Sequence, residues 1–332
     1  MSELVTKKRD IASLHVEITK TKILGSDVRR FQIYKWIGEN TSKGTIVIAH
    51  GQSEHGLVYD TIAKNFVKEG YAVYALDHIG HGGTIKDIKK LGLWDEKSFT
   101  KCAYNLHVLI DLARNEYPNN KVTVIGHDLG GTVTFKAISK FGAKVDSLVL
   151  SGIHESLFSL KRSKWRFFWE KKFHLDSKPS FSGERYINRK YNKWFVFGSN
   201  DLDWVTSDKD ALKAFKDDPK CGFTYTYAYY YHHAASLLEF YKDSKKHFSK
   251  LSKNMPILVI GGGADSVNGF GRGTFAFANL LKDQYKMKKI SVQMYQGARH
   301  YIYIDTCKYK LIDDIITWNE KVLNNKKEEA TK

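Results

Sequence analysis

Residues 126–131 read Gly126-His127-Asp128-Leu129-Gly130-Gly131 and follow the β-branched run Val122-Thr123-Val124-Ile125 without a gap. A strand that turns sharply into a helix holds the central residue in a strained backbone conformation and needs small neighbours. Gly126, Gly130 and Gly131 supply that room, which puts the Asp128 side chain at the apex of the turn. A plainer reading is that Asp128 only caps the helix that follows, a place where aspartate is favoured. The order of the remaining parts decides between the two.

Thr45-Ile46-Val47-Ile48-Ala49 has the pattern of a buried strand and runs into His50-Gly51-Gln52-Ser53-Glu54-His55. Ala72-Val73-Tyr74-Ala75-Leu76 is a second, ending in Asp77-His78-Ile79-Gly80-His81-Gly82. Ser147-Leu148-Val149-Leu150 follows the helix after the turn. Pro256-Ile257-Leu258-Val259-Ile260 leads into Gly261-Gly262-Gly263-Ala264-Asp265, and Ser291-Val292-Gln293-Met294-Tyr295 into Gly297-Ala298-Arg299-His300. Strands alternating with helical stretches predict the α/β class, a mostly parallel sheet covered by helices on both faces. A site in such a sheet lies beyond the carboxyl ends of its strands, where Asp128, Asp265 and His300 all fall.

The chain resembles the α/β hydrolases of the monoacylglycerol lipase and lysophospholipase (serine aminopeptidase S33-type) group. The resemblance rests on HGQSEH (50–55), DHIGHGGT (77–84), GHDLGG (126–131), DPKCGFTYT (218–226), GGGADSV (261–267), FGRG (270–273) and QGARH (296–300), and covers nearly the whole chain. It implies an eight-stranded α/β-hydrolase sheet and the chain order nucleophile, acid, histidine. Two positions depart from the group: Asp128 stands where a serine is usual, and Ile79 where an arginine is common. At the first, the chain is similar instead to epoxide hydrolases and haloalkane dehalogenases.

With 332 residues and 42% hydrophobic content, the chain is sized for one core plus an insertion. The predicted division is a core of 1–152 and 251–332 and a cap over 153–250. That stretch carries Trp165, Trp169, Trp194 and Trp204, four of the seven tryptophans, and a run of tyrosines. Such rings either fill the cap's own small core or line an apolar pocket facing Asp128. No apolar run is long enough to cross a bilayer, and the N-terminus lacks the apolar centre of a secretory signal. Cys102, Cys221 and Cys307 offer neither a disulfide framework nor metal spacing, so the expected setting is a reducing cytosol, with no metal and no cofactor. The tail from Lys326 is charged and expected to fray. A net charge of +17 would suit a polyanionic partner, but no helix-turn-helix, zinc finger or RNA-binding signature appears, so nucleic acid is not expected as a partner. The segment 160–173, Leu160-Lys161-Arg162-Ser163-Lys164-Trp165-Arg166-Phe167-Phe168-Trp169-Glu170-Lys171-Lys172-Phe173, interleaves cations with aromatics, a composition suited to peripheral contact with anionic lipid at the inner membrane face.

The chemistry expected from these residues begins with Asp128 as nucleophile, His300 as base and Asp265 as the acceptor that fixes the histidine's tautomer. Backbone N–H groups of Gln52 and Leu129 would stabilise an oxyanion, while His50, His55 and His127 support the loops. A carboxylate attacking an alkyl carbon leaves an ester on Asp128, which His300-activated water then hydrolyses. The substrate would be a small apolar or lipid-derived molecule, and opening an epoxide would draw its acid from the tyrosines at 225–231. Leu129 in place of a tryptophan argues against a halide cradle. Alternatively, the carboxylic-ester activity implied by the resemblance survives through water activated by His300, or a serine belongs where Asp128 stands, or the chain binds lipid without turnover.

Overall fold

The computed structural model describes residues 17–153, 157–174, 176–195 and 201–324; the extreme N-terminus and the charged tail lie outside the described residues. One sheet holds β1 (Glu17–Leu24), β2 (Arg30–Ile37), β3 (Gly44–Ala49), β4 (Tyr71–Leu76), β5 (Val122–His127), β6 (Ser147–Ser151), β7 (Ile257–Gly262) and β8 (Ile290–Tyr295). Their order is β1-β2-β4-β3-β5-β6-β7-β8. β2 is antiparallel to both β1 and β4, and every other pairing is parallel. This is the α/β-hydrolase fold. The antiparallel pair β1–β2 extends the sheet beyond the strands located from sequence.

The central strands are buried on both faces, as crossover helices require. Along β3, Val47 and Ala49 point to one apolar cluster while Ile46 and Ile48 point to the other. Helices α1 (Asp60–Lys68), α2 (Ser98–Glu116) and α3 (Leu129–Phe141) divide between those faces. Leu106, Leu109, Val133 and Phe135 of α2 and α3 cover the first, and Ile62 and Phe66 of α1 cover the second.

Between β6 and β7 lie α4 (Leu157–Phe173), α5 (Phe181–Asn192), α6 (Lys209–Asp217), α7 (Tyr227–Lys242) and α8 (Ser244–Ser249). The last two helices, α9 (Arg272–Asn279) and α10 (Lys308–Asn324), return to the sheet, with Phe277 on the first face and Leu311, Ile312 and Ile315 on the second. Within the inserted segment α7 is the anchor: Tyr229 and Phe240 join the main core, and Tyr229 packs against Trp94 at 4.8 Å. Helix α4 rides on α7, with Phe167 stacked on Tyr230 at 4.8 Å and Leu160 clustered with Leu237 and Leu238.

Candidate active site at the carboxyl edge of the sheet

Asp128 sits between β5 and α3 at φ 46° and ψ −111°, a backbone state a non-glycine residue holds only when its surroundings enforce it. Its N–H donates to Ser151 O at 2.8 Å, and its carbonyl accepts from Gly131 N–H at 3.1 Å. A Cβ at Gly130 would run into the Ala49 carbonyl, so α3 starts this close to β3 only with glycine there. The turn expected from the glycine pattern is therefore present, with the carboxylate at its apex.

Asp265 follows β7 and is buried, its Oδ1 accepting the N–H groups of Val267 (2.9 Å) and Asn268 (3.1 Å). Its Oδ2 lies 3.0 Å from Nδ1 of His300, which is also buried. An acceptor at Nδ1 puts the proton there and leaves the Nε2 lone pair for chemistry. Burial pushes the His300 imidazole down, but Asp265, then Asp128 and Glu54, outweigh it and hold it above its ordinary value. Burial likewise pushes the Asp128 carboxyl up, but the surrounding imidazoles, His300 foremost and then His127 and His233, with the hydrogen bond from Gln52, outweigh that and hold it below the ordinary carboxylate value. Asp128 and His300 line one cavity, whose apolar wall includes Leu160, Phe167, Leu202, Trp204 and Phe215 of the inserted segment.

Gln52 is already occupied. Its backbone N–H (3.1 Å) and its side-chain Nε2 (3.0 Å) both donate to Asp128 Oδ2. Leu129 opens α3, so its N–H is among those with no acceptor inside the helix. The two expected oxyanion donors thus flank the elbow, with one Asp128 oxygen resting on the first of them.

The loop carrying Gln52 is held by tyrosines. Tyr229 OH donates to Gln52 Oε1 (3.0 Å), Tyr301 OH donates to Gln52 O (2.5 Å), and Tyr225 OH accepts from Ser53 N–H and lies 2.8 Å from His81 Nε2. Of the tyrosines at 225–231 expected to offer an acid, Tyr225 and Tyr229 are thus bonded to this loop, and Tyr225 and Tyr230 line the cavity. Burial pushes the phenols of Tyr225, Tyr229 and Tyr230 well up, which weakens them as acids. Tyr225 and Tyr229 are committed to the loop, Tyr227 stacks on His174, and Tyr231 packs beside Phe168.

Two residues of the site were not found by sequence reasoning. Glu54 is buried, accepts from Gly51 N–H and from Tyr59 OH (2.8 Å), and burial pushes its carboxyl up to about 8. His233 lines the cavity with Nε2 buried and unpartnered among the described residues, and burial pushes its imidazole down to about 4. The signal for Glu54 lay in the HGQSEH segment, whereas nothing marked His233 within an aromatic helix. His50, His78, His81 and His127 are likewise buried, and burial holds each below its ordinary value.

Among the described residues, one group has ligand atoms clustered within 4.8 Å of one another: His55, Asp218 and Cys221. His55 Nε2 is engaged by Asp218 Oδ2 at 2.8 Å, and burial keeps the Cys221 thiol protonated. That set suits a hydrogen-bonded support behind the Gln52 loop better than a cation.

Fold, strand order and the residues gathered at the sheet edge define an α/β hydrolase. The chain belongs to the family described as serine aminopeptidase, S33, whose model matches residues 40–307, and it is a hydrolase. Among its relatives, a monoacylglycerol lipase of Mycolicibacterium smegmatis is 24% identical over 290 residues, covering 85% of this chain and 90% of that protein. A thermostable carboxyl esterase from Bacillus coagulans, solved with glycerol, superposes with a TM-score of 0.80 at 21% identity, over 93% of this chain and 99% of its own. A soluble variant of monoglyceride lipase from Saccharomyces cerevisiae, bound to a substrate analogue, gives 0.69 at 17% identity, over 95% and 99%. Among the described residues no helix is long and apolar enough to cross a membrane.

Proposed function

We propose that this chain hydrolyses the carboxylic ester of a single-chain acylglycerol, with water activated directly by His300. The likeness to a monoacylglycerol lipase over most of both chains carries the substrate class. The apolar cavity between the inserted segment and the sheet edge suits one acyl chain. In this reading residues 153–250 act as its cap.

His300 Nε2 takes a proton from water as the water oxygen bonds to the ester carbon. The acyl carbon–oxygen bond then breaks, and the same proton passes to the departing glycerol oxygen. Asp265 holds the imidazole in the required tautomer, and the Asp128 anion favours the transient imidazolium. Leu129 N–H and Gln52 N–H are the donors for the tetrahedral oxyanion, and Asp128 must leave Gln52 for the second to be used. Direct attack by Asp128 on the carbonyl would instead create a mixed anhydride, a higher-energy species than the ester it replaces.

One observation favours a second reading, attack by Asp128 on an alkyl carbon. With Oδ2 bound twice by Gln52, the carboxylate is fixed at the apex as such a nucleophile would be. The absence of a free cap tyrosine among Tyr225 and Tyr229 weighs against epoxide opening. Fatty-acid release from monoacylglycerol separates the readings. His300→Ala should lose about a thousand-fold, while Asp128→Ala should stay within about ten-fold of the wild-type rate, because losing the anion beside the imidazolium is offset by freeing the Gln52 N–H. An inactive Asp128→Ala protein with intact fold would put the carboxylate back as nucleophile.

A further inference from the structure

On the outer side of the inserted segment, α4 and α5 form a groove lined by Arg162 and Arg166 from one helix and Arg185 and Arg189 from the other, with Lys193 just past its end. The spacing makes this a built feature. Phe158, Arg162 and Arg166 recur every four residues along α4, as do Arg185, Arg189 and Lys193 beside α5, so each set lies on one helical face. The helices are pinned together by Arg166 over the Tyr186 ring (4.5 Å) and by Ser182 Oγ donating to Glu170 Oε2 (2.9 Å). Glu170 also pairs with Arg166 Nη2 at 2.7 Å. Among the described residues, Arg162, Arg185 and Arg189 have no carboxylate partner in the groove, and Arg166 Nε is buried with no acceptor. Four guanidinium groups thus face one carboxylate.

We propose that this groove binds the phosphate of an anionic bilayer lipid. Guanidinium forks match phosphate oxygens two at a time, and several unneutralised ones in a single groove favour an anion of that kind. The neighbouring surface selects a lipid over free phosphate. Helix α4 exposes Phe158 (76%), Trp165 (69%) and Phe173 (72%) beside the cations. Large rings kept in water next to arginines are the composition of an interfacial helix, whose rings enter the acyl boundary while its cations meet headgroups. Phe167, expected from sequence to share that face, is instead buried on Tyr230. Lys190 lines both the groove and the cavity that holds Asp128, so a bilayer seated here lies at the cavity's edge.

Vesicle co-sedimentation of the full chain tests this without turnover, so the result is separate from the catalytic reading. Phosphatidylcholine vesicles, alone or with phosphatidate, are compared for wild type, Arg185→Ala/Arg189→Ala and a control, Lys282→Ala/Lys288→Ala, that removes two exposed charges elsewhere. Circular dichroism checks that each variant is folded. Wild type should prefer phosphatidate vesicles at least ten-fold, the arginine variant should lose about thirty-fold, and the control should change less than about three-fold. Raised salt should weaken the attachment. Equal binding to both vesicle types, or equal loss in the control, overturns the proposal. So does calorimetric binding of inorganic phosphate by a wild-type protein that ignores vesicles, since the groove would then serve a free anion.

Discussion

Along the carboxyl edge of the sheet, His50, His78, His81 and His127 are buried and kept uncharged, and Asp128, Asp265 and His300 are fixed by short backbone and loop contacts. Across the cavity, α4 and α5 leave cations and aromatic rings in water and reach the core mainly through α7. The first region has one arrangement because strand ends, positive-φ turns and buried partners over-determine it. The second keeps charge and large rings on its outer face without buried partners. The proposed chemistry and the proposed docking thus fall on different walls of one molecule, and Tyr229 bonds one to the other at Gln52.

The sharpest way to break that contrast is acid. A histidine whose folded pKa lies below its unfolded value stabilises the protein above about pH 6.5, and that contribution is lost as pH falls toward the folded value. His78 and His127 are pushed down to about 3, and His81 and His233 to about 4. Each should cost about 2 kcal/mol at pH 5 relative to neutral pH. Glu54, pushed up to about 8, works in the other direction over the same window and offsets part of this. Urea unfolding at pH 7 and pH 5 should show a net loss of a few kcal/mol, and equal midpoints would mean the sheet edge is not held by neutral histidines.

A smaller effect sharpens the role of the elbow. Asp128→Ser should raise ester hydrolysis about a hundred-fold, because it frees the Gln52 donors and supplies a nucleophile that His300 can activate. Initial rates on a soluble monoacylglycerol check this, and an unchanged rate would mean that Asp128 does not obstruct the donors. Tyr229→Phe removes the hydrogen bond to Gln52 Oε1 that joins the two walls. It should lower that rate about ten-fold with little change in KM, at a stability cost of about 1 kcal/mol. A change confined to KM would assign Tyr229 to substrate binding.

The smallest effect is on the pH profile. His300 must be neutral to act as base, and its pKa is held above the ordinary value. Turnover should therefore rise with pH through a midpoint above about 6.5, and Asp128→Ala should move that midpoint down by removing one of the anions responsible. A midpoint unmoved in the variant would remove Asp128 from the electrostatics of the base.

Much of the sheet edge was legible because each site residue follows a strand in an order that the fold repeats. Gly130 and Gly126 announced the turn at Asp128, and Gly262 and Gly297 precede Asp265 and His300. β1 and β2 were not located because no motif stands at their ends and their residues alternate weakly. The tyrosines were legible as a cluster but not in their use. Whether a phenol donates to Gln52 or to a substrate depends on packing of α7 against Trp94, a contact between residues far apart in sequence. Glu54 and His233 were missed for the same reason: burial, which gives each its character, is a tertiary fact.

If water attacks the ester directly, as proposed, Asp128 is never acylated or alkylated. A single turnover of monoacylglycerol in heavy-oxygen water, followed by mass analysis of the fatty acid and of the peptide containing Asp128, tests it most directly. Direct attack by water puts heavy oxygen in the fatty acid from the first turnover and leaves the Asp128 peptide unlabelled. Heavy oxygen in the Asp128 carboxylate would contradict it and make the aspartate the nucleophile.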